Sequence, residues 1–445
     1  MSEKGARTIA IRSIGCRTNQ EEMVVLSGKL ASQGYSIVDD LSSAAIIIVN
    51  TCSVTGATES KTKRLLHAIS AEAPQARILV TGCLAQQLPD ELARFRGVDW
   101  VVGNSEKERI DSILNHSDSG VWHTPANRAD RDKPLSVNFC ALPPVSGEHA
   151  PLRTRFPVKI QEGCDSRCSY CIVPTLRGPS RSAGLNDVVD TCRRAIEAGY
   201  KEIVLTGTHI GRFADSEGNR LPVLINRIAA IEGDFRIRLS SLDPVDCSDE
   251  LLELVAHSDK VCRHLHVSLQ SCCAEVLVAM NRPWRETLDC IERLVSFRKS
   301  NPSAGIGVDI IAGFPGETDA MFGETCCQVE RIGLSYAHVF RFSPRPGTDA
   351  ALFDNRVAES VKRERSGRLR RIVESARERF LKSLEGTVQR IIVESGSPLR
   401  GTTSNYIHVE IDDSFLQRNT WLDVTLSGKL GGRYCSAQPV LSKVA

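Results

Sequence analysis

A chain of 445 residues is longer than one ordinary domain, and 41% hydrophobic with 25% charged residues supplies several cores and excludes a disordered chain. The net charge of +2 excludes a globally basic nucleic-acid binder, so any RNA partner must be held by a local patch. Sixteen cysteines, behind an amino terminus (MSEKGARTIAIRSIGC) without the apolar run of a signal peptide, predict a cytoplasmic protein whose cysteines are metal ligands rather than disulfides.

In the first hundred residues, apolar β-branched runs at 8–14, 44–50, 77–81 and 98–102 alternate with amphipathic helical stretches at 20–32, 58–73 and 89–95. That alternation predicts an open parallel sheet covered on both faces. The run at 44–49 is too short to span a bilayer, and no membrane partner is expected. Residues 124–152 lose the rhythm, gather proline, glycine and charge, and read as a linker. Six further strand-like runs follow at 158–161, 202–206, 235–240, 264–269, 307–312 and 337–342, with helical stretches at 185–198, 249–257, 286–300 and 320–332 between them. They predict a full or partial parallel barrel with ligands at the carboxyl ends of its strands. A charged helix is expected over 356–384. Short runs at 387–393, 407–411 and 421–426, separated by GSPLRGTTSNY and DDSFLQRN, then predict a small all-β module. The expected fold class is α/β, divided into 1–123, a linker at 124–152, 153–384, and the all-β part at 385–445.

Cys164, Cys168 and Cys171 stand at C-x3-C-x2-C spacing just past the first strand of the second block. One loop can therefore present three soft thiolates to an iron–sulfur cluster or to zinc. Three ligands leave one iron of a cubane open to substrate, whereas structural zinc takes a fourth protein ligand. A zinc loop completed from afar, or simple packing, is the alternative. Cys16, Cys52 and Cys83 lie far apart in sequence, but each follows a predicted strand of the first block. In an open parallel sheet such strand ends converge on one crevice, so a second three-thiolate site is expected there. The alternative is that they are buried small hydrophobes.

The cysteine loop resembles that of the radical S-adenosylmethionine (SAM) superfamily. The segments GCRTNQEE (15–22), NTCSVTGATESKTKR (50–64) and TGCLAQ (81–86) resemble the methylthiotransferases within it. The resemblance covers essentially the whole chain and implies an amino-terminal cluster domain of Rossmann or flavodoxin type, a partial (β/α)6 radical SAM barrel and a carboxyl-terminal TRAM barrel. It also implies two 4Fe-4S clusters, with SAM as radical source and methyl donor, and an electron donor such as a flavodoxin or ferredoxin; the sulfur donor is left open. NTCSVT and its basic sequel look closest to the branch acting on threonylcarbamoyladenosine, which implies methylthiolation of C2 at position 37 in the tRNA anticodon arm. The isopentenyladenosine branch, the ribosomal-protein aspartate branch and a non-catalytic iron–sulfur RNA-binding regulator are the alternatives.

By the same resemblance Tyr170 is expected against the adenine of SAM and Gly207 beside its methionine, while Ser241 and Gln270 are candidates for ribose and carboxylate. Each could equally be an ordinary loop cap. Arg177 and Arg181 could balance the charge of SAM or meet phosphate, or be solvated. Cys272 and Cys273, just past a strand, are left open in role, with a direct catalytic part the less favoured reading. Residues 356–390 hold eleven Lys or Arg against five Glu. That is an RNA-facing patch or a solvated helix, and the adjoining β module favours RNA.

Overall fold

The computed structural model describes residues 8–15, 17–53, 55–116, 119–125, 135–137, 154–395, 398–411, 418–431 and 434–440. Its first unit is one sheet of six parallel strands: β1 (Thr8–Ser13), β2 (Ser36–Val38), β3 (Ile46–Thr51), β4 (Arg77–Gly82), β5 (Val98–Val102) and β6 (Gly120–Trp122), in the order β2-β1-β3-β4-β5-β6. Successive side chains of a strand leave opposite faces. Accordingly Ile47, Val49, Ile78 and Val80 join Leu66 and Ile69 in one core, and Ile48 and Leu79 join Met23, Leu26 and Leu30 in the other. The expected double-faced sheet is present. Edge strands β2 and β6 went unpredicted because three residues are too few to show a period.

The second unit has six parallel strands: β7 (Arg155–Glu162), β9 (Glu202–Gly207), β10 (Arg236–Leu239), β11 (His264–Gln270), β12 (Gly305–Ala312) and β13 (Tyr336–Arg341). The short β8 (Arg181–Ser182) runs antiparallel beside β7. Between β10 and β11 the ladder thins to the bridges Ile237↔Val261 and Leu242↔Val267. Helices Leu185–Glu197, Leu221–Ala229, Asp249–His257, Trp284–Ser300 and Asp319–Ile332 cover the outside, and their apolar faces share one core with the alternate strand residues. This is the expected partial barrel. Most of the predicted linker falls outside the described residues. Within it Leu135 is buried in the barrel core and donates its N–H to the Ser182 carbonyl.

The helix Glu359–Ser383 leads to a closed five-strand barrel of β14 (Val388–Ser395), β15 (Leu399–Thr403), β16 (His408–Ile411), β17 (Trp421–Gly431) and β18 (Tyr434–Pro439). Two of these strands, β15 and β18, were not expected from the sequence. β15 lies in a stretch read as a turn because it holds Arg400 and Gly401; the glycine is required where β15 crosses β14, since a Cβ there would come within 2.6 Å of the Ile392 carbonyl. The following residues dock into the amino-terminal end of the larger barrel. Arg236 donates to the Thr402 carbonyl at 2.8 Å, Arg238 to Thr403 at 2.9 Å and Ser404 at 3.1 Å, and Tyr406 lies 4.6 Å from the His264 ring. Beneath them Glu202, fully buried, meets Arg236 at 2.6 Å and Arg238 at 2.7 Å. Burial would raise its carboxyl, but Arg236, Arg238 and Arg155 hold it well below the usual carboxylate range.

Candidate functional site

The rim formed by the carboxyl ends of the barrel strands carries the three-cysteine loop. Gly163 turns the chain out of β7 at φ +75°, where any side chain would overlap the Pro179 carbonyl. Cys164, Cys168 and Cys171 follow, half-buried and within one loop. Burial, followed by the nearness of Cys168 and Cys164, pushes the Cys171 thiol up to about 12. Burial likewise raises the Cys168 thiol, whereas at Cys164 burial is outweighed by hydrogen bonds from His209 and Ser166, which lower the thiol. Three thiols on one loop are a donor set that a cationic iron–sulfur core would hold as thiolates. Basic groups already flank them. Arg282 reaches Cys168 Sγ at 3.8 Å, and His209 Nδ1 lies 3.7 Å from Cys164 Sγ. Burial opposes the charge on His209, yet its bonds to Asp246 (2.6 Å) and Cys164 push the imidazole up to about 9.

The second cysteine group faces this loop. Thr51 and Gly82 are register partners on β3 and β4, and Cys52 and Cys83 follow them directly, both buried. Cys16 lies outside the described residues, but Gly15 before it sits so close to Cys52 that an added Cβ would overlap the Cys52 side chain. Asn104 donates toward Cys83 Sγ at 3.6 Å and to the Leu176 carbonyl at 3.2 Å. Cys83 packs with Ile172 and Leu176, so it lies against the residue next to Cys171. The two thiol groups therefore lie at the same domain interface. Both sets offer soft sulfur donors at strand ends, as an iron–sulfur cluster requires.

Two clasps join the sheet domain to the barrel beside these thiols. On one side Arg177 is buried, not solvated, and meets Glu22 at 2.9 Å, Glu162 at 3.1 Å and Asn19 Oδ1 at 2.9 Å. Arg181 likewise pairs with Glu162 at 3.0 Å, so neither arginine is committed to phosphate. On the other side Arg345 donates to the Ser53 carbonyl at 3.3 Å, and the Gly56 N–H donates to Ser343 Oγ at 3.1 Å.

The other predicted residues line the same rim. Gly207 ends β9, its carbonyl accepts from Thr18 at 3.2 Å, and a side chain there would press on the Gln161 carbonyl at 2.5 Å. Close strand packing thus demands glycine there whatever binds. Ser241 shares a 2.9 Å hydrogen bond with His266 Nδ1. Gln270 has φ +68°, a strained conformation for a non-glycine residue, beside a register shift in β11. Tyr170 packs under the loop against the cluster of Cys273, Phe314 and Phe342. Cys272 and Cys273 are fully buried in the cores.

Sequence reasoning missed Gln161, His209, Asp243 and Arg282. Gln161 is fully buried, donates to the Gly163 carbonyl at 2.7 Å and accepts the His209 N–H at 2.6 Å, tying the cysteine loop to the next strand end. Arg282 pairs with Asp243 at 2.9 Å. These residues come from separate β/α units and carry no common spacing.

A six-strand partial barrel with a three-cysteine rim loop, faced by strand-end cysteines of a parallel sheet, defines a two-site thiolate protein built on the radical SAM plan. Residues 158–326 match the radical SAM superfamily, and residues 8–103 match the family described as "Uncharacterized protein family UPF0004". The chain is 35% identical over 411 residues to the threonylcarbamoyladenosine tRNA methylthiotransferase MtaB of Thermotoga maritima, covering 92% of each chain. It is 33% identical to that of Bacillus subtilis, with 90% of each covered. It is 31% identical to the tRNA-2-methylthio-N(6)-dimethylallyladenosine synthase of Thermodesulfovibrio yellowstonii, over 87% of this chain and 88% of that one. Among solved structures, the radical SAM methyltransferase TsrM of Kitasatospora setae, 15% identical, superposes with a TM-score of 0.55 over 78% of this chain and 77% of that one, a likeness of fold. The chain belongs to the radical SAM methylthiotransferase family. No helix among the described residues is long and apolar enough to cross a membrane.

Proposed function

We infer that this protein methylthiolates C2 of N6-threonylcarbamoyladenosine at position 37 of tRNA, with SAM and two 4Fe-4S clusters as cofactors. The observation that carries the reading is the packing of Cys83 in one cluster with Ile172 and Leu176, beside Cys171, which brings two separate thiol sets to one domain interface. Cys164, Cys168 and Cys171 would hold the cluster that would supply the electron for SAM cleavage, and Cys16, Cys52 and Cys83 would hold the one that would supply the sulfur site. The chain's own part is to hold these groups in register, because a short-lived radical must react where it is made. Arg177 and Arg345 clamp the sheet domain to the barrel, and Gln161 fixes the cysteine loop. Arg282 and His209 place positive charge beside the thiolates. Gly207, Ser241, Gln270 and Tyr170 are the proposed SAM contacts.

The units are proposed as 1–123 for the second cluster, 153–384 for radical chemistry and 385–445 as a TRAM-type RNA-binding barrel. The helix Glu359–Ser383 supports RNA binding through exposed Arg363, Arg368, Arg370, Arg371 and Arg379. Two of its cations are spent inside the protein. Arg365 is buried against Glu317 at 2.7 Å, and Lys362 is buried with Glu359 at 2.7 Å. A cytoplasmic location and a flavodoxin or ferredoxin as electron donor complete the proposal.

The relatives acting on dimethylallyladenosine favour one second reading, the same chemistry on that nucleoside. Mass spectrometry of tRNA nucleosides from cells with and without the gene separates them. Loss of 2-methylthio-threonylcarbamoyladenosine with accumulation of its parent supports the first reading. Loss of the dimethylallyl product supports the second. No change in either rejects the tRNA assignment.

A further inference from the structure

Below the rim, the inward faces of β11, β12 and β13 carry polar groups that the thiol chemistry does not use. On β11, Leu265, Val267 and Leu269 enter the helix-covered core, which turns His266 and Ser268 to the barrel interior. On β12, Val308 and Ile310 do the same and turn Asp309 inward, where its register partner on β13 is His338. The polar atoms of His266, Asp309 and His338 lie within 4.8 Å of one another. His266 Nε2 is 3.4 Å from Asp309 Oδ1, and the 2.9 Å bond from Nδ1 to Ser241 fixes the ring.

The row has a floor, a roof and an opening. Tyr336 forms the floor, its ring filling the space left by Gly307 and stacking 5.6 Å from His266, and Tyr406 closes it from below at 5.3 Å. The roof is the cysteine loop. The backbone carbonyl of Ser268, the next inward residue of β11, accepts from Arg282 at 2.8 Å, and Arg282 reaches Cys168. Two residues of strand rise roughly 6.6 Å, so the row sits about one side-chain layer below the site of radical formation. The opening is lateral. β13 is the end strand of its sheet, and both His338 and Phe340 are exposed along it.

We propose that His266, Asp309 and His338, with Phe340 as the apolar lip, form the site that recognises the N6 substituent of the target adenosine, and that they select a polar, carboxylate-bearing ureido group over an apolar one. This rests on the methylthiotransferase reading above. A threonylcarbamoyl group offers a carboxylate and a urea carbonyl to imidazole N–H donors, and urea N–H groups to the Asp309 carboxylate. A dimethylallyl group offers none, and would strip water from three polar side chains without replacing their hydrogen bonds. Identity over the whole chain separates the two kinds of relative only weakly, at 35% against 31%. The polarity of this row separates them on chemistry.

The test uses reconstituted holoenzyme and two anticodon stem-loop RNAs, carrying N6-threonylcarbamoyl- or N6-dimethylallyladenosine, with Kd measured for each. The wild-type protein binds the threonylcarbamoyl RNA more tightly, and in His338→Leu and Asp309→Asn the ratio of the two Kd values falls about tenfold or more. His338 is exposed, so His338→Leu leaves the core untouched, and iron content per chain checks the fold of both variants. An unchanged ratio, or an equal loss on both RNAs, overturns the proposal. So does one zinc per chain in the wild-type protein that His338→Leu loses, because two imidazoles and a carboxylate would then be a metal site. If the wild-type enzyme fails to methylthiolate the threonylcarbamoyl RNA, the functional reading itself falls. If it succeeds while the ratio stays put, only this site assignment does.

Discussion

Replacing Arg177 by Met should loosen the clasp between the sheet domain and the barrel while leaving both cysteine groups intact. The guanidinium is 3% exposed and touches Glu22 and Glu162, which are 6% and 9% exposed. Breaking a buried ion pair from one side costs about 3–5 kcal/mol, because the abandoned charge stays out of water. Lys107 at 2.5 Å from Glu22, and Lys159 and Arg181 near Glu162, remain to share the burden. The lower end, about 3 kcal/mol, is therefore expected. For cooperative units of this size that corresponds to a fall in Tm of roughly 6–12 °C. Functionally, a misplacement of about 1 Å between reacting groups costs on the order of a hundredfold in rate. Calorimetry and a paired assay of 5′-deoxyadenosine release and methylthio product read both effects. Arg177→Met should keep cleaving SAM but lose methylthio transfer. A Tm within about 2 °C of wild type, or loss of both activities in parallel, would refute the clasp argument.

Glu202→Gln should destabilise the junction of the two barrels by about 3 kcal/mol, because Arg236 and Arg238 would then face each other without a carboxylate, Glu394 remaining as a partner for Arg155 alone. The Glu202 carboxyl is depressed in the folded state, so its stabilisation is present above the unfolded value near 4.5 and lost as pH falls through the lower folded value; the variant should lack that acid limb in a pH series of melts. Gly163→Ala places a methyl group on the Pro179 carbonyl, and the purified protein should hold about half the wild-type iron after reconstitution, measured by elemental analysis. Arg371→Ala and Arg379→Ala should each weaken tRNA binding and reduce its salt slope by about one in a binding titration. Arg365→Ala should instead lower Tm, since it abandons Glu317.

Much of this protein was legible in the chain itself, where the relevant physics is local. The C-x3-C-x2-C loop is a spacing, and the strand-end positions of Cys52 and Cys83 follow from counting β/α units. The partial barrel follows from six apolar runs separated by helical periods. Other features depend on residues distant in sequence. Arg177 and Arg181 read as candidates for anions, yet Glu22, 155 residues before Arg177, makes the first of them a clasp. GSPLRGTTSNY read only as a connection between strands, but buried arginines on β10 claim the carbonyls of Thr402, Thr403 and Ser404 within it. Edge strands β2 and β6 were too short for a period to show, and β15 was disguised by the glycine its crossing requires. The row of His266, Asp309 and His338 is spread over three strands and seventy residues, so no window of sequence contains it. The sequence determined which chemistry the cysteines could support, because ligand type and local spacing are written along the chain. Which side chains surround those cysteines was decided only by tertiary structure, because barrel closure and domain docking bring together residues whose separation along the chain carries no signal.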